Sequence, residues 1–141
     1  MGTHDGRTEA EVSALSAFIT LMRAAESISA RTSAHLAEAG LTEGQFGVLE
    51  ALLHTGALCQ KELGAKLLRS SGNMTVVVDN LEKQGLVRRE RDRQDRRMVT
   101  IHLTDAGRER IARLFPKHAA IVTSEMGVLT GAEQNELHRL C

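Results

Sequence analysis

The chain has 141 residues, 42% hydrophobic and 26% charged, and its formal net charge is zero. That length and balance suit one soluble globular domain, residues 1–141, with a real core, and exclude a disordered chain. No apolar run approaches the roughly 20 residues that a bilayer span needs. The polar start MGTHDGRTEAE carries no apolar signal region, so a cytoplasmic protein with no membrane partner is expected.

From about residue 9 to 39, Leu15, Phe18, Ile19, Met22 and Ala25 recur at i, i+3, i+4, i+7 spacing, which predicts a long amphipathic helix ended by Gly40. Thr42 with Gln45 fits a capping box, and Leu41 with Phe46 a hydrophobic staple. They predict a second helix to about residue 54 that buries Phe46, Leu49, Leu52 and Leu53. QKELGAKLL reads as a short third helix over residues 60–67. RSSG then precedes a fourth, NMTVVVDNLEKQ, whose Met74, Val77, Val78 and Leu81 face the core and which Gly85 closes. Two helices joined by a short Ser/Gly turn make a helix-turn-helix pattern.

After Gly85 the period changes from helical to alternating. LVRRER and RMVTIHL read as strands around the polar turn DRQD, a β-hairpin wing. Thr104 caps a fifth helix, DAGRERIARLFPKHAAIVTSEM, in which Pro116 is expected to cause a kink. Thr130 with Glu133 forms another capping box and opens a sixth helix, still running at Cys141, so a longer natural chain is expected. The fold class is therefore mostly α with a small β-hairpin wing.

The zero net charge conceals a pattern. Residues 1–59 hold three arginines against seven acids, residues 60–97 ten Lys and Arg against six acids, and residues 98–141 five of each. A basic middle is the electrostatic footprint of a nucleic-acid surface. With three Phe and no Trp or Tyr, the chain lacks the aromatic platforms on which single strands and RNA stack. Double-stranded DNA is the partner these features point to.

The predicted fourth helix presents Gly72, Val76, Asp79 and Lys83 opposite its apolar stripe, flanked by Asn73, Thr75 and Asn80. Asn bonds adenine bidentately, and the methyls of Thr75 and Val76 meet a thymine methyl. Ser70 and Ser71 hydroxyls reach phosphates. In the blander reading Ser71 is a helix cap and Asn80 a solvated side chain. Gly72 serves either close backbone approach to DNA or turn geometry. Residues 88–97 contain six Arg and three acids, with Arg93, Arg96 and Arg97 at the hairpin tip. Arg suits the negative potential of a narrow minor groove. The alternative is a solvated hairpin with ion pairs to Asp92 and Asp95, and a mixture of the two is the expectation adopted.

The order of elements, with QKELGAKL and TVVVDNLEKQGLVRRERDRQDRRMVTIHLTDAG, resembles the MarR family (multiple antibiotic resistance regulators) over nearly the whole chain, most densely from residue 41 to 107. One place departs: the family's D-x-R-D-x-R wing pattern has Gln94 at its third position. The resemblance implies a winged helix-turn-helix regulator with dimerisation helices at residues 9–39 and 105–141 and a DNA-binding lobe at about 42–103. It implies a homodimer, a repressor by preference, on a pseudo-palindromic operator, released by a small-molecule effector or by thiol oxidation. It also implies that Asp79, which phosphates would repel, forms a structural salt bridge to a wing Arg. Cys59 falls where relatives carry a capping Ser or Thr, with Glu62 completing the box. A thiol at a helix N-terminus beside Lys61 is the setting of a redox sensor, and equally a small space-filling residue.

Little else carries chemistry. No pair among His4, His35, His54, His102, His118 and His138 has metal-ligand spacing, and Cys59 and Cys141 form no ligand or disulfide framework. No catalytic constellation or phosphate loop is present. No metal, cofactor or enzyme activity is expected. A winged-helix protein–protein adaptor is the competing class, against which the basic hairpin and polar helix face speak.

Overall fold

A computed structural model describes residues 6–67 and 71–141, without the side chains of residues 71 and 72. The elements are α1 (Glu9–Glu38), α2 (Glu43–Thr55), β1 (Leu58–Cys59), α3 (Gln60–Lys66), α4 (Ser71–Lys83), β2 (Val87–Arg91), β3 (Val99–Leu103), α5 (Asp105–Met126) and α6 (Gly131–Leu140).

Side-chain caps set most helix starts. Thr8 with Glu11, Thr42 with Gln45, Cys59 with Glu62 and Thr130 with Glu133 each close a reciprocal box, satisfying amides that have no partner in the first turn. Thr104 caps α5 by accepting from Gly107 N at 3.1 Å and donates its own hydroxyl to Gly85 O at 2.6 Å, tying the start of α5 to the end of α4. Gly85 takes φ 72° there, a left-handed turn that lets Leu86 N reach back to Leu81 O at 3.0 Å.

The core lies in the middle of the chain. Phe46, Val48, Leu49, Ala51 and Leu52 of α2 pack with Leu63 of α3, the Met74, Val77, Val78 and Leu81 stripe of α4, Val87, Ile101 and Ile111. Leu53, Val99 and Leu103 are only partly buried at its edge. Gly107 lets α5 approach closely, since a Cβ there would lie 1.9 Å from the carbonyl oxygen of Leu86.

Two features differ from the sequence expectation. The wing is one side of a three-stranded antiparallel sheet, ordered β1-β3-β2, in which Cys59 pairs with Thr100. A two-residue strand is too short to show alternation. Helix α4 already includes Ser71 and Gly72, which the sequence reading placed in the preceding turn. Ser and Gly read as turn residues, yet they are tolerated in a first turn, whose amides lack intrahelical acceptors in any case. Pro116 lies within α5, which continues through it.

The two ends of the chain are bare by contrast. Residues 9–27 of α1 are exposed on every side, and α6 buries no residue. Among the described residues the side-chain bonds from α1 to other elements come from its C-terminal half, where Ser29 bonds Glu43 and Arg31 bridges to Glu125 at 2.6 Å; just past its end Ala39 O accepts from Arg110.

Candidate nucleic-acid interface

Helix α4 packs its apolar stripe inward and leaves Asn73, Thr75, Val76, Asn80 and Lys83 exposed, with Asp79 half-buried beside them. Val76 is 59% exposed, an apolar residue with no core role on this face. Ser70 and the side chain of Ser71 lie outside the described residues, and the exposure of Gly72 is likewise outside them. Beside α4 the start of α2 contributes Thr42 and Gly44 to a groove that Asn73, Val76 and Asn80 share.

Two residues that the sequence reading did not name bond to this helix, one of them the wing Arg that partners Asp79. Gln60, first residue of α3, donates from Nε2 to Thr75 Oγ1 at 2.8 Å. Arg89 of β2 reaches across to α4 and forms ion pairs with Asp79 at 2.6 Å and Glu82 at 3.2 Å, and its Nη2 donates to Thr75 O at 3.3 Å. Its backbone N donates to Glu82 Oε2 at 3.0 Å. A signal for Arg89 was present in the strand alternation. It sits two residues after the buried Val87 and pairs in register with the buried Ile101, so it lies on the core side of β2. An Arg there must find counter-charges, and the facing helix supplies two. The neighbouring Arg88 lies on the opposite face, where Glu90 meets it at 3.3 Å and meets His102 at 3.0 Å.

At the wing tip the expected pairing of arginines with Asp92 and Asp95 is replaced by another arrangement. Asp92 Oδ1 accepts from the amides of Gln94 at 2.7 Å and Asp95 at 3.1 Å, and Asp95 Oδ1 accepts from Arg97 N at 3.0 Å. Those two amide bonds hold the Asp92 carboxyl below its ordinary pKa. The acids thus brace the turn through the backbone, as short carboxylates do in turns. Among the described residues Arg93, Arg96 and Arg97 form no ion pair, and all three are exposed. The tip is therefore a backbone-braced turn carrying three guanidiniums without ion pairs among the described residues, 10 to 14 residues after the end of α4.

Cys59 is half-buried at the cap of α3, accepting from Glu62 N at 3.4 Å while its own N donates to Glu62 Oε2 at 2.9 Å. The bonds to Cys59 hold the Glu62 carboxyl below its ordinary pKa.

Comparison with known proteins agrees with this geometry. The MarR family model matches residues 41–99, from the start of α2 to the second wing strand. The HTH-type transcriptional regulator YkoM of Bacillus subtilis (strain 168) is 36% identical over 88% of this chain and 80% of its own. The chain belongs to the MarR family. The regulator MhqR of the same organism is 37% identical over 84% of this chain and 82% of its own. A structure of Bordetella bronchiseptica BpsR superposes with a TM-score of 0.81 at 27% identity, covering 89% of this chain and 95% of BpsR. As a MarR-type protein the chain is a DNA-binding transcriptional regulator and not an enzyme, and its fold is the winged helix-turn-helix. No described helix is long and apolar enough to cross a membrane, and no described group of three or more His, Cys, Asp or Glu is placed to hold a metal.

Proposed function

We propose that this MarR-family protein is a cytoplasmic homodimeric repressor that binds a pseudo-palindromic operator and is released by a small molecule. In this reading Asn73, Thr75, Val76 and Asn80 read base edges in the major groove, with Gly72 at the closest backbone approach. Ser70, Ser71 and Lys83 hold phosphates, and Arg93, Arg96 and Arg97 reach the minor groove beside them. Asp79 aims the wing through Arg89 and does not read sequence.

The surface of α1 carries the dimeric reading. Leu15, Phe18, Ile19 and Met22 are 42–60% exposed at helical spacing, with Val12 and Leu21 beside them. The whole chain exposes 10040 Å², against about 7,200 Å² for a compact monomer of its mass. The excess, about 2,800 Å² per chain and so roughly 5,700 Å² for a pair, lies at the upper end of obligate dimer interfaces counted over both partners. A two-fold pair of winged lobes would meet a two-fold operator. The small-molecule part is supported by BpsR, whose DNA binding is regulated by 6-hydroxynicotinic acid, and by a cavity where α1, α2 and α5 meet.

Sedimentation equilibrium of the native chain and of Phe18→Glu tests the reading. The native chain should sediment as a dimer at micromolar concentration, and Phe18→Glu should dissociate and lose operator affinity together. A native monomer that binds a palindromic duplex tightly would overturn it.

A further inference from the structure

We propose that Gln60 is a specificity-determining positioning residue: it holds the Thr75 hydroxyl, so that Thr75 meets DNA with its methyl group and selects thymine. This rests on the base-reading role proposed above for α4 and adds a residue from outside that helix.

Thr75 lies in the second turn of α4 and is exposed, within the stretch that a recognition helix sends into the major groove. It is held from two directions. Gln60, at the start of α3, donates from Nε2 to Thr75 Oγ1 at 2.8 Å, and Arg89 Nη2 donates to Thr75 O at 3.3 Å. The side chain and the backbone of one exposed residue are thus each tied to a different neighbouring element.

Packing of α3 on α4 does not call for the Gln60 bond. Leu63 of α3 and Met74 and Val78 of α4 are at 0% exposure in the shared core. The bond between amide and hydroxyl lies at the surface, where exchange with water leaves a small net gain. What the bond decides is a rotamer. A helical Thr divides between two χ1 states, and a donor from outside the helix favours the state that presents Oγ1 to it. The γ-methyl then has one place.

That choice sets what is read. A Thr hydroxyl both donates and accepts, so it bonds to more than one base and discriminates weakly. A γ-methyl packs against the C5-methyl that thymine alone carries in the major groove. Val76, the next residue, is exposed and offers only methyl groups, so this part of α4 presents an apolar reading surface.

A duplex recovered by the native chain from a random-sequence pool tests this, with each dT replaced in turn by deoxyuridine, which lacks only the C5-methyl. In the native chain, replacement at the reading positions should weaken binding about fourfold, the worth of one buried methyl group. Gln60→Ala should lose most of that penalty at one such position while melting within about 3 °C of the native chain. Thr75→Val carries a γ-methyl in both of the places open to the Thr methyl, so adding it to Gln60→Ala should restore the penalty. A merely structural Gln60 would weaken dT and deoxyuridine duplexes equally, and Thr75→Val would repair nothing. A native chain indifferent to every replacement, a Gln60→Ala chain with all the native penalties, or a double variant that stays indifferent would overturn the assignment. The deoxyuridine scan of the native chain depends on no variant. Recovery of no duplex at all counts against the regulator proposal itself, whereas a recovered duplex with the wrong penalties counts against the role of Gln60 alone.

Discussion

Replacing Arg89 by Ala removes the side chain that pairs β2 with the Asp79 and Glu82 carboxylates of α4. Its guanidinium is 21% exposed, while its partners Asp79 and Glu82 are 46% and 42% exposed. Each ion pair on its own, discounted for solvent, is worth about 0.2–1 kcal/mol. The charged bond to Thr75 O adds about 1.5 kcal/mol at the low end for charged donors. The sum is about 2 kcal/mol, or roughly 6–8 °C in Tm for a domain of this size. DNA binding should fall further than stability alone requires. Without Arg89, two carboxylates on the proposed recognition helix face phosphates unneutralised, and the wing is no longer aimed. A loss of about tenfold or more in duplex affinity, 1.4 kcal/mol, is expected. Thermal melts and fluorescence anisotropy, with Arg91→Ala as the control, provide the readout. Arg91 is exposed on the same strand and has no side-chain partner among the described residues. In an Asp79→Ala background the Arg89→Ala effect should shrink only by the share of that one pair, about 0.2–1 kcal/mol, because Glu82 and Thr75 O still hold the guanidinium. Equal melting temperatures for Arg89→Ala and Arg91→Ala would refute the bracing role.

Gly107→Ala should destabilise the fold by about 1–3 kcal/mol despite the better helix propensity of Ala, because the new Cβ displaces a Leu86 carbonyl that also accepts from Thr104 N; a chemical melt checks it. The wing-tip turn should loosen in acid. The Asp92 pKa is lower folded than unfolded, so its contribution is present above the ordinary value of 3.8 and is lost as pH falls through the folded value. The amide resonances of Gln94 and Asp95 should report that transition, and their constancy to lower pH would contradict it. Cys59→Ser should keep the α3 cap and raise stability by up to about 1 kcal/mol, since a hydroxyl caps better than a thiol. Peroxide should leave duplex binding unchanged in both forms. Release confined to the native chain would instead make Cys59 a sensor.

Most of the fold was legible because its signals are local. Caps such as Thr42 with Gln45, the α4 stripe and the change of period after Gly85 each act within one turn or one strand. What escaped depends on pairs far apart in sequence. Strand β1 exists only because Leu58 and Cys59 meet Ile101 and Thr100. The His35–His118 contact joins residues on helices that only the packed core brings together. At the candidate site the exposed side of α4 followed from periodicity. The inward reach of Arg89 needed the register of β2 against β3, and the freedom of the tip arginines needed the backbone bonds of Asp92 and Asp95.

The salt dependence of duplex binding is the most direct test that α4 and the wing grip DNA together. Anisotropy titrations of a palindromic duplex should give a steep fall of affinity with salt. Arg96→Ala and Arg97→Ala should each lower the log–log slope by roughly 1 while weakening specific and non-specific binding alike. Asn73→Ala should cost about 1–3 kcal/mol at the specific site alone. Unchanged affinity and slope in both arginine variants would contradict the assignment of the wing to DNA.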